Sequence, residues 1–230
     1  MVQDNLQAVL AAIRDICARL GRDPAGVTLV GVTKFADLPA VNEAIRAGLM
    51  HIAENKVQLA AAKFPRIDQA GQPVVKHLIG HLQSNKAKDA VALFDLIQSV
   101  DSLKLLEEID KRAAAINKVQ DILVQLDIAQ EEQKFGLPLG ELGNFLSRVG
   151  QLEHVALLGV MTMAPFTEDR ERIRAVFHQC REIFEQIKRG PRASARVEMK
   201  YLSMGMSSDY EIALEEGANM IRVGSAIFKQ

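Results

Sequence analysis

A closed (β/α)8 barrel is the fold that this sequence predicts, on three observations. Eight short apolar runs alternate with amphipathic helical segments, and strands alternating with helices make a parallel sheet. The chain has 230 residues, near the roughly 250 typical of eight βα units. No Pro-, Gly- or Ser-rich linker, low-complexity tract or repeat interrupts it, so residues 1–230 read as one domain. A doubly wound open sheet is the alternative arrangement.

The chain opens on a helix. Leu6, Val9, Leu10, Ile13, Ile16, Cys17 and Leu20 share one helical face, and Gly21 and Pro24 end it. This additional helix precedes the first strand and is expected to lie across the bottom of the barrel. Strands are expected at Thr28–Thr33, Met50–Ala53, Val74–Ile79, Leu96–Val100, Ile122–Leu126, Val155–Met161, Met199–Leu202 and Met220–Val223. Helices are expected at Pro39–Ala47, Lys56–Phe64, Lys86–Leu93, Leu103–Ile116, Leu139–Val149, Glu168–Ile187 and Ser208–Glu215. Glu168–Ile187 carries the clearest stripe: Ile173, Val176, Phe177, Cys180, Ile183, Phe184 and Ile187. Gly48, Gly190 and Gly217 stand where helices should stop.

Composition excludes several functions. With 28 Lys+Arg against 29 Asp+Glu, there is no electrostatic footprint for nucleic acid or an anionic membrane. The chain lacks Trp, which argues against base-stacking platforms. No apolar run nears the roughly 20 residues of a membrane span. Asp4 and Arg14 interrupt the N-terminal run, so it does not read as a signal peptide. Cys17 and Cys180 fall in helical stripes and read as small buried hydrophobes rather than a disulfide. A cytoplasmic protein is expected.

In such a barrel, chemistry sits at the C-terminal ends of the strands. That rule selects Lys34, Glu54, Asn55, Gly80 to Asn85, Met163, Pro165, Ser203 to Ser208, Gly224 and Ser225. Lys34 closes the apolar run Val27–Lys34. A lysine there is expected to be desolvated, so that its amine becomes a nucleophile toward carbonyls. Taken alone, though, it reads better as a lysine whose stem carries the charge to solvent. The far end of the chain shifts the balance. LSMGMSSD (Leu202–Asp209) and IRVGSAIF (Ile221–Phe228) occupy the strand-seven and strand-eight loops, the usual phosphate site of these barrels. Gly205 and Gly224 would let the backbone approach an anion, and Ser203 and Ser225 would add hydroxyls.

Arg222 alternates with Ile221 and Val223 and should point into the barrel. A buried arginine needs a partner. An internal ion pair with Glu54 and an acceptor on a ligand are equal alternatives. His77 and His81 fall across a strand and its turn with no third ligand at metal spacing, so no zinc site is expected. His81 is placed at the mouth, and His51, His154 and His178 read as structural or surface residues. The acidic stretch Glu131–Gly136 reads as a solvated loop, and Ser84–Lys88 as a helix cap with solvated lysines. No nucleophile elbow, Walker loop or dinucleotide fingerprint occurs.

The segments VGVTK, AENKVQ, KHLIGHLQSNKAK, QSVDSLKL, LDIAQEEQKFG, LLGVMTMAP and LSMGMSSDYEIALEEGANMIRVGSAIF follow in this order. In order and spacing the chain resembles the pyridoxal phosphate homeostasis proteins (the YggS/PROSC family). That resemblance implies a single-domain TIM barrel like the N-terminal domain of alanine racemase, and pyridoxal 5'-phosphate as cofactor. It implies that Lys34 forms the internal aldimine, that Ser203, Gly224 and Ser225 cradle the phosphate, that Arg222 faces the pyridine nitrogen, and that Asn55 and Met204 line the ring. Phe35, Ala53 and Lys56 depart from the family pattern, at the rim more than the cradle.

The resemblance further implies a protein that holds and supplies the cofactor without robust catalysis, with apo forms of pyridoxal-phosphate enzymes as recipients. A cation opposite the ring nitrogen makes the ring a poorer electron sink. Racemases of this architecture take a second acid/base from another domain and subunit. Here the chain ends at Gln230 soon after the eighth strand, and its two tyrosines, Tyr201 and Tyr210, both lie near the strand-seven loop. A monomer is expected, with monomer–dimer exchange as the alternative. The competing functions are a small amino-acid racemase using Lys34 as sole base, and a barrel isomerase of a sugar phosphate.

Overall fold

The computed structural model describes residues 1–68, 71, 73–129, 135–190 and 195–229. Eight parallel strands close a barrel in sequence order, with β8 pairing back onto β1. They are β1 (Thr28–Val32), β2 (His51–Glu54), β3 (Val75–Leu78), β4 (Leu96–Val100), β5 (Gln120–Gln125), β6 (Val155–Met161), β7 (Val197–Ser203) and β8 (Met220–Val223). The helices are α1 (Val2–Arg19), α2 (Leu38–Arg46), α3 (Val57–Lys63), α4 (Ala87–Leu93), α5 (Leu103–Ala114), α6 (Leu142–Val149), α7 (Arg170–Arg189), α8 (Tyr210–Glu215) and α9 (Ser225–Phe228).

The strands are apolar on both sides because both sides are buried. Leu29, Ile52, Ile97, Ile122, Val160 and Ile221 face the helices in one large core. Val30, Ala53, Leu96, Leu123, Met161 and Met220 fill the barrel interior in a second. Caps set where several helices begin. Asp37 accepts from the Ala40 N–H at 2.9 Å, and Asp169 accepts from the amides of Glu171 and Arg172 at the start of α7. Both leave fewer orphan donors at the helix start. α8 begins two residues later than expected, because Ser207–Asp209 form a turn.

α1 is not across the bottom. Its apolar stripe packs beside α2, α8 and α9 in the outer ring. At one end Asn5 donates to the Ile227 carbonyl at 3.1 Å. At the other, Arg22 donates to the Ala218 carbonyl at 2.7 Å. The helix after β8 is a single turn of four residues. The β8/β1 face therefore still has apolar surface to cover, and the stripe of α1 covers it.

Cys17 and Cys180 are buried and unpaired, and burial pushes the Cys180 thiol up to about 12. No helix among the described residues is long and apolar enough to cross a membrane. Of the acidic stretch at 131–136, residues 131–134 lie outside the described residues.

Candidate functional site

A cavity of about 580 Å³ opens at the C-terminal ends of the strands. A larger one, about 670 Å³, lies outside the barrel between α6 and α7 and is walled mainly by Leu142, Leu146, Ile183 and Ile187. The first is the site, because the ends of seven strands line it and bring Lys34, His81 and Arg222 to one mouth.

Lys34 lies two residues past the end of β1, on the same side as Val30 and Val32, and lines this cavity. Its Nζ is 5.0 Å from the centroid of the Phe35 ring, and it makes no hydrogen bond or ion pair with the described residues. The side chain is exposed, so the desolvation expected of it is not provided by this arrangement. Its root is held firmly. Thr33 donates from Oγ1 to Glu54 Oε1 at 2.8 Å. Lys63 on α3 reaches over to the same oxygen at 2.7 Å and to the Thr33 carbonyl at 2.6 Å. Glu54 thus faces outward onto α3 rather than inward, and its ion pair is with Lys63. The expected Glu54–Arg222 pair does not form, because strand alternation puts those two side chains on opposite faces of the barrel wall.

Arg222 does point inward and is fully buried, lining the floor of the cavity. Its Nη1 donates to Ser203 Oγ at 2.7 Å and its Nη2 to the Thr162 carbonyl at 2.9 Å. Burial lowers its pKa to about 10, against the pull of Asp209. It therefore remains a cation at neutral pH.

Asn55 follows β2 and lines the cavity wall. Its Oδ1 is buried without a hydrogen-bond partner among the described residues. Its backbone passes so close to Gly80 that a Cβ there would lie 2.1 Å from the Asn55 carbonyl oxygen. Only glycine fits that crossing.

Gly224 and Ser225 reach the cavity, but Ser203 and Met204 do not. Ser203 lies beneath the floor, donating to Gln98 Oε1 at 2.6 Å. Met204 points the other way, into the core outside the barrel. The hydroxyls on the wall are those of Ser207 and Ser208 together with Ser225. Ser207 Oγ accepts from the amides of Gly224 at 3.1 Å and Ala226 at 3.3 Å, tying the two loops together. Gly205 also stays off the wall. At φ +93° a Cβ would lie 2.5 Å from the Ala213 Cβ, so the turn and helix packing require this glycine, not an anion. The signal for Ser207 and Ser208 was present in LSMGMSSD, but alternation could not say which serine turns inward once the strand has ended.

His81 does line the mouth. Its Nδ1 lies 3.0 Å from Asp101 Oδ2, and its ring stacks on Phe135 at 3.7 Å between centroids. His77 is inside the barrel, not paired with His81. Its Nε2 lies 3.0 Å from His51 Nδ1, and no group of residues among those described could hold a metal ion.

Burial pushes the His77 pKa from 6.5 down to about 3, and His51 adds to the shift. An unfolded histidine takes up a proton near pH 6.5, whereas folded His77 refuses it down to about pH 3. The unfolded chain binds more protons in that window. Stability present above it is lost as pH falls, by up to about 1.4 kcal/mol per pH unit for this one group. Chemical denaturation of a His77→Gln variant should therefore show a shallower loss on acidification than wild type. Parallel curves for the two proteins would contradict this.

Residues 5–230 match the family described as alanine racemase, N-terminal domain. The pyridoxal phosphate homeostasis protein of Aquifex aeolicus is 35% identical over 98% of this chain and 96% of its own. PipY of Synechococcus elongatus PCC7942, solved with PLP bound, is 32% identical, covers 99% of this chain and 100% of its own, and superposes with a TM-score of 0.83. Alanine racemase of Clostridium difficile 630 shares the fold alone, at 14% identity and a TM-score of 0.70, with this chain covering 57% of it. With relatives more than 30% identical along its whole length, the chain belongs to the pyridoxal phosphate homeostasis protein family, on the barrel of the alanine racemase N-terminal domain.

Proposed function

We propose that this protein binds pyridoxal 5'-phosphate in the C-terminal cavity and buffers or supplies it, without robust catalysis. One observation carries this function: the unpaired amine of Lys34 and the buried guanidinium of Arg222 share a single cavity. The wall suits the cofactor. Its volume of about 580 Å³ falls in the usual range for small-molecule sites. Asn55 Oδ1 offers an unused acceptor, and the hydroxyls of Ser207, Ser208 and Ser225 surround the Gly224 turn, where a phosphate would find donors. When bound, the cofactor supplies an aldehyde that condenses reversibly with a primary amine, and a ring that can take up charge.

Each residue then has a task. Lys34 would hold the cofactor through its aldehyde. Asn55 meets the ring, while Gly224 and Ser225, joined by Ser207 and Ser208, hold the phosphate. Arg222 would face the ring nitrogen and, as a cation, would disfavour its protonation, which would weaken the ring as an electron sink. Ser203 acts through Arg222, and Met204 supports the loop from behind. Apo forms of pyridoxal-phosphate enzymes are the proposed recipients.

A second function, slow racemisation, is favoured by the His81–Asp101 pair at the mouth. A carboxylate-oriented imidazole is a competent proton donor and acceptor. The two functions separate in one experiment. Protein loaded with the cofactor is mixed with an apo-enzyme, and separately with alanine in deuterated water. The expected result is reactivation of the apo-enzyme, with α-proton exchange no faster than free cofactor supports. Exchange far above that background together with formation of the opposite enantiomer, both lost in His81→Gln, would establish the racemase instead.

A further inference from the structure

Beneath the cavity floor, a column of hydrogen bonds crosses the barrel interior from Arg222 to His51. Arg222 Nη1 donates to Ser203 Oγ at 2.7 Å, and Ser203 donates to Gln98 Oε1 at 2.6 Å. Gln98 Nε2 lies 2.9 Å from His77 Nδ1, and His77 Nε2 lies 3.0 Å from His51 Nδ1. Ser203, Gln98 and His77 are all buried, so each broken link would leave a polar group without water to replace its partner.

The direction of every link follows from the first. A guanidinium only donates. Ser203 Oγ therefore accepts from it, and its one proton goes on to an acceptor, which makes the facing Gln98 atom the amide oxygen. The Gln98 NH2 then faces His77, whose Nδ1 must be bare. A neutral imidazole with bare Nδ1 carries its proton on Nε2, and gives it to His51 Nδ1. A charged His77 would set an N–H against the Gln98 N–H. Burial holds His77 neutral, with a pKa near 3, in keeping with this order.

We propose that Gln98 and His77 are positioning residues for the cofactor site: through Ser203 they fix the plane of the Arg222 guanidinium, and so hold its cation opposite the ring nitrogen. The second tie, from Nη2 to the Thr162 carbonyl at 2.9 Å, sets only one corner of the fork. Two fixed corners define the plane, and the remaining N–H groups are left for the cavity. The assignment to a ring nitrogen rests on the cofactor reading above, whereas the polarity of the column does not.

Two measurements test it separately. In the cofactor-free protein, nitrogen-15 NMR of the histidine side chains should find His77 as the neutral tautomer protonated on Nε2 at neutral pH. The Nδ1-protonated tautomer, or a charged ring, would overturn the column. In the second, wild type and Gln98→Leu are titrated with pyridoxal 5'-phosphate and with its 1-deaza analogue, which lacks the ring nitrogen. The variant should lose about tenfold in affinity for the cofactor, the worth of one hydrogen bond to a charged group, and keep its affinity for the analogue. An equal loss for both ligands, or no loss for either, would show that the column is structural only. Failure of wild type to bind either ligand would overturn the cofactor reading and the role of the column with it, leaving the NMR result to stand on its own.

Discussion

Lys34→Ala protein mixed with pyridoxal 5'-phosphate and reduced with borohydride is expected to carry no adduct on the barrel mouth, whereas wild type carries a stoichiometric one on the peptide that contains Lys34. The expectation comes from which amines can reach the cavity. Lys34 and Lys229 are the lysines on its wall among the described residues. Lys34 follows a strand whose end is fixed by Thr33, Glu54 and Lys63. Lys229 is exposed beyond the single turn of α9, where holding it in one pose would cost side-chain entropy. An aldehyde held by ring and phosphate contacts meets the better-placed amine at a high effective concentration. The visible band of the imine should vanish with the adduct. An unchanged band, or an adduct that maps to Lys229 in wild type, would remove Lys34 from its assigned role.

Lys63→Met is expected to cost about 3–5 kcal/mol of stability, because it leaves a buried carboxylate uncompensated. Glu54 is fully buried and Lys63 is 16% exposed by side chain, so water cannot substitute readily for the lost ammonium. The Thr33 carbonyl also loses one of its two donors, keeping the Ala36 N–H at 3.0 Å. Urea denaturation measures the effect, and the double variant Lys63→Met/Glu54→Gln should recover a large part of it, since the stranded charge goes with the second change. A loss under about 1 kcal/mol for the single variant would mean that the pair is solvated in practice. The same experiment reports on the site, because Lys63 and Glu54 pin the residue that precedes Lys34. Covalent loading of the single variant should fall along with its stability.

His77 and Gln98 show where sequence and structure part. Both stand in strands whose apolar pattern is plain, β3 and β4, yet neither announces a partner. The sequence places His77 in a strand and His81 in the turn after it, which keeps the two apart but names no partner for either. His81 ends at the rim with Asp101, while His77 meets His51 from β2 and Gln98 from β4. Likewise, alternation along β8 turned Arg222 inward, as it is in the structure, but could not give its depth or show that Ser203 lies beside it. Ser203 lies one layer below the cavity, and Met204, its neighbour in sequence, faces the helices. Ser207 and Ser208, in the turn beyond the strand, take the wall.

The sequence by itself determined the eight alternating units, the inward turn of Arg222 and the positions of Lys34, Asn55, Gly224 and Ser225 at strand ends. Those features are periodic or local: a period of two or of 3.6 and a glycine at a stop are written in consecutive residues. Only the tertiary structure decided that α1 covers the β8/β1 face, that Glu54 pairs with Lys63 rather than Arg222, and that five side chains from five strands join beneath the cavity. These depend on the closure of the barrel, which sets the stagger between strands. Residues far apart in the chain share a layer only once that stagger exists, and no spacing in the sequence encodes it.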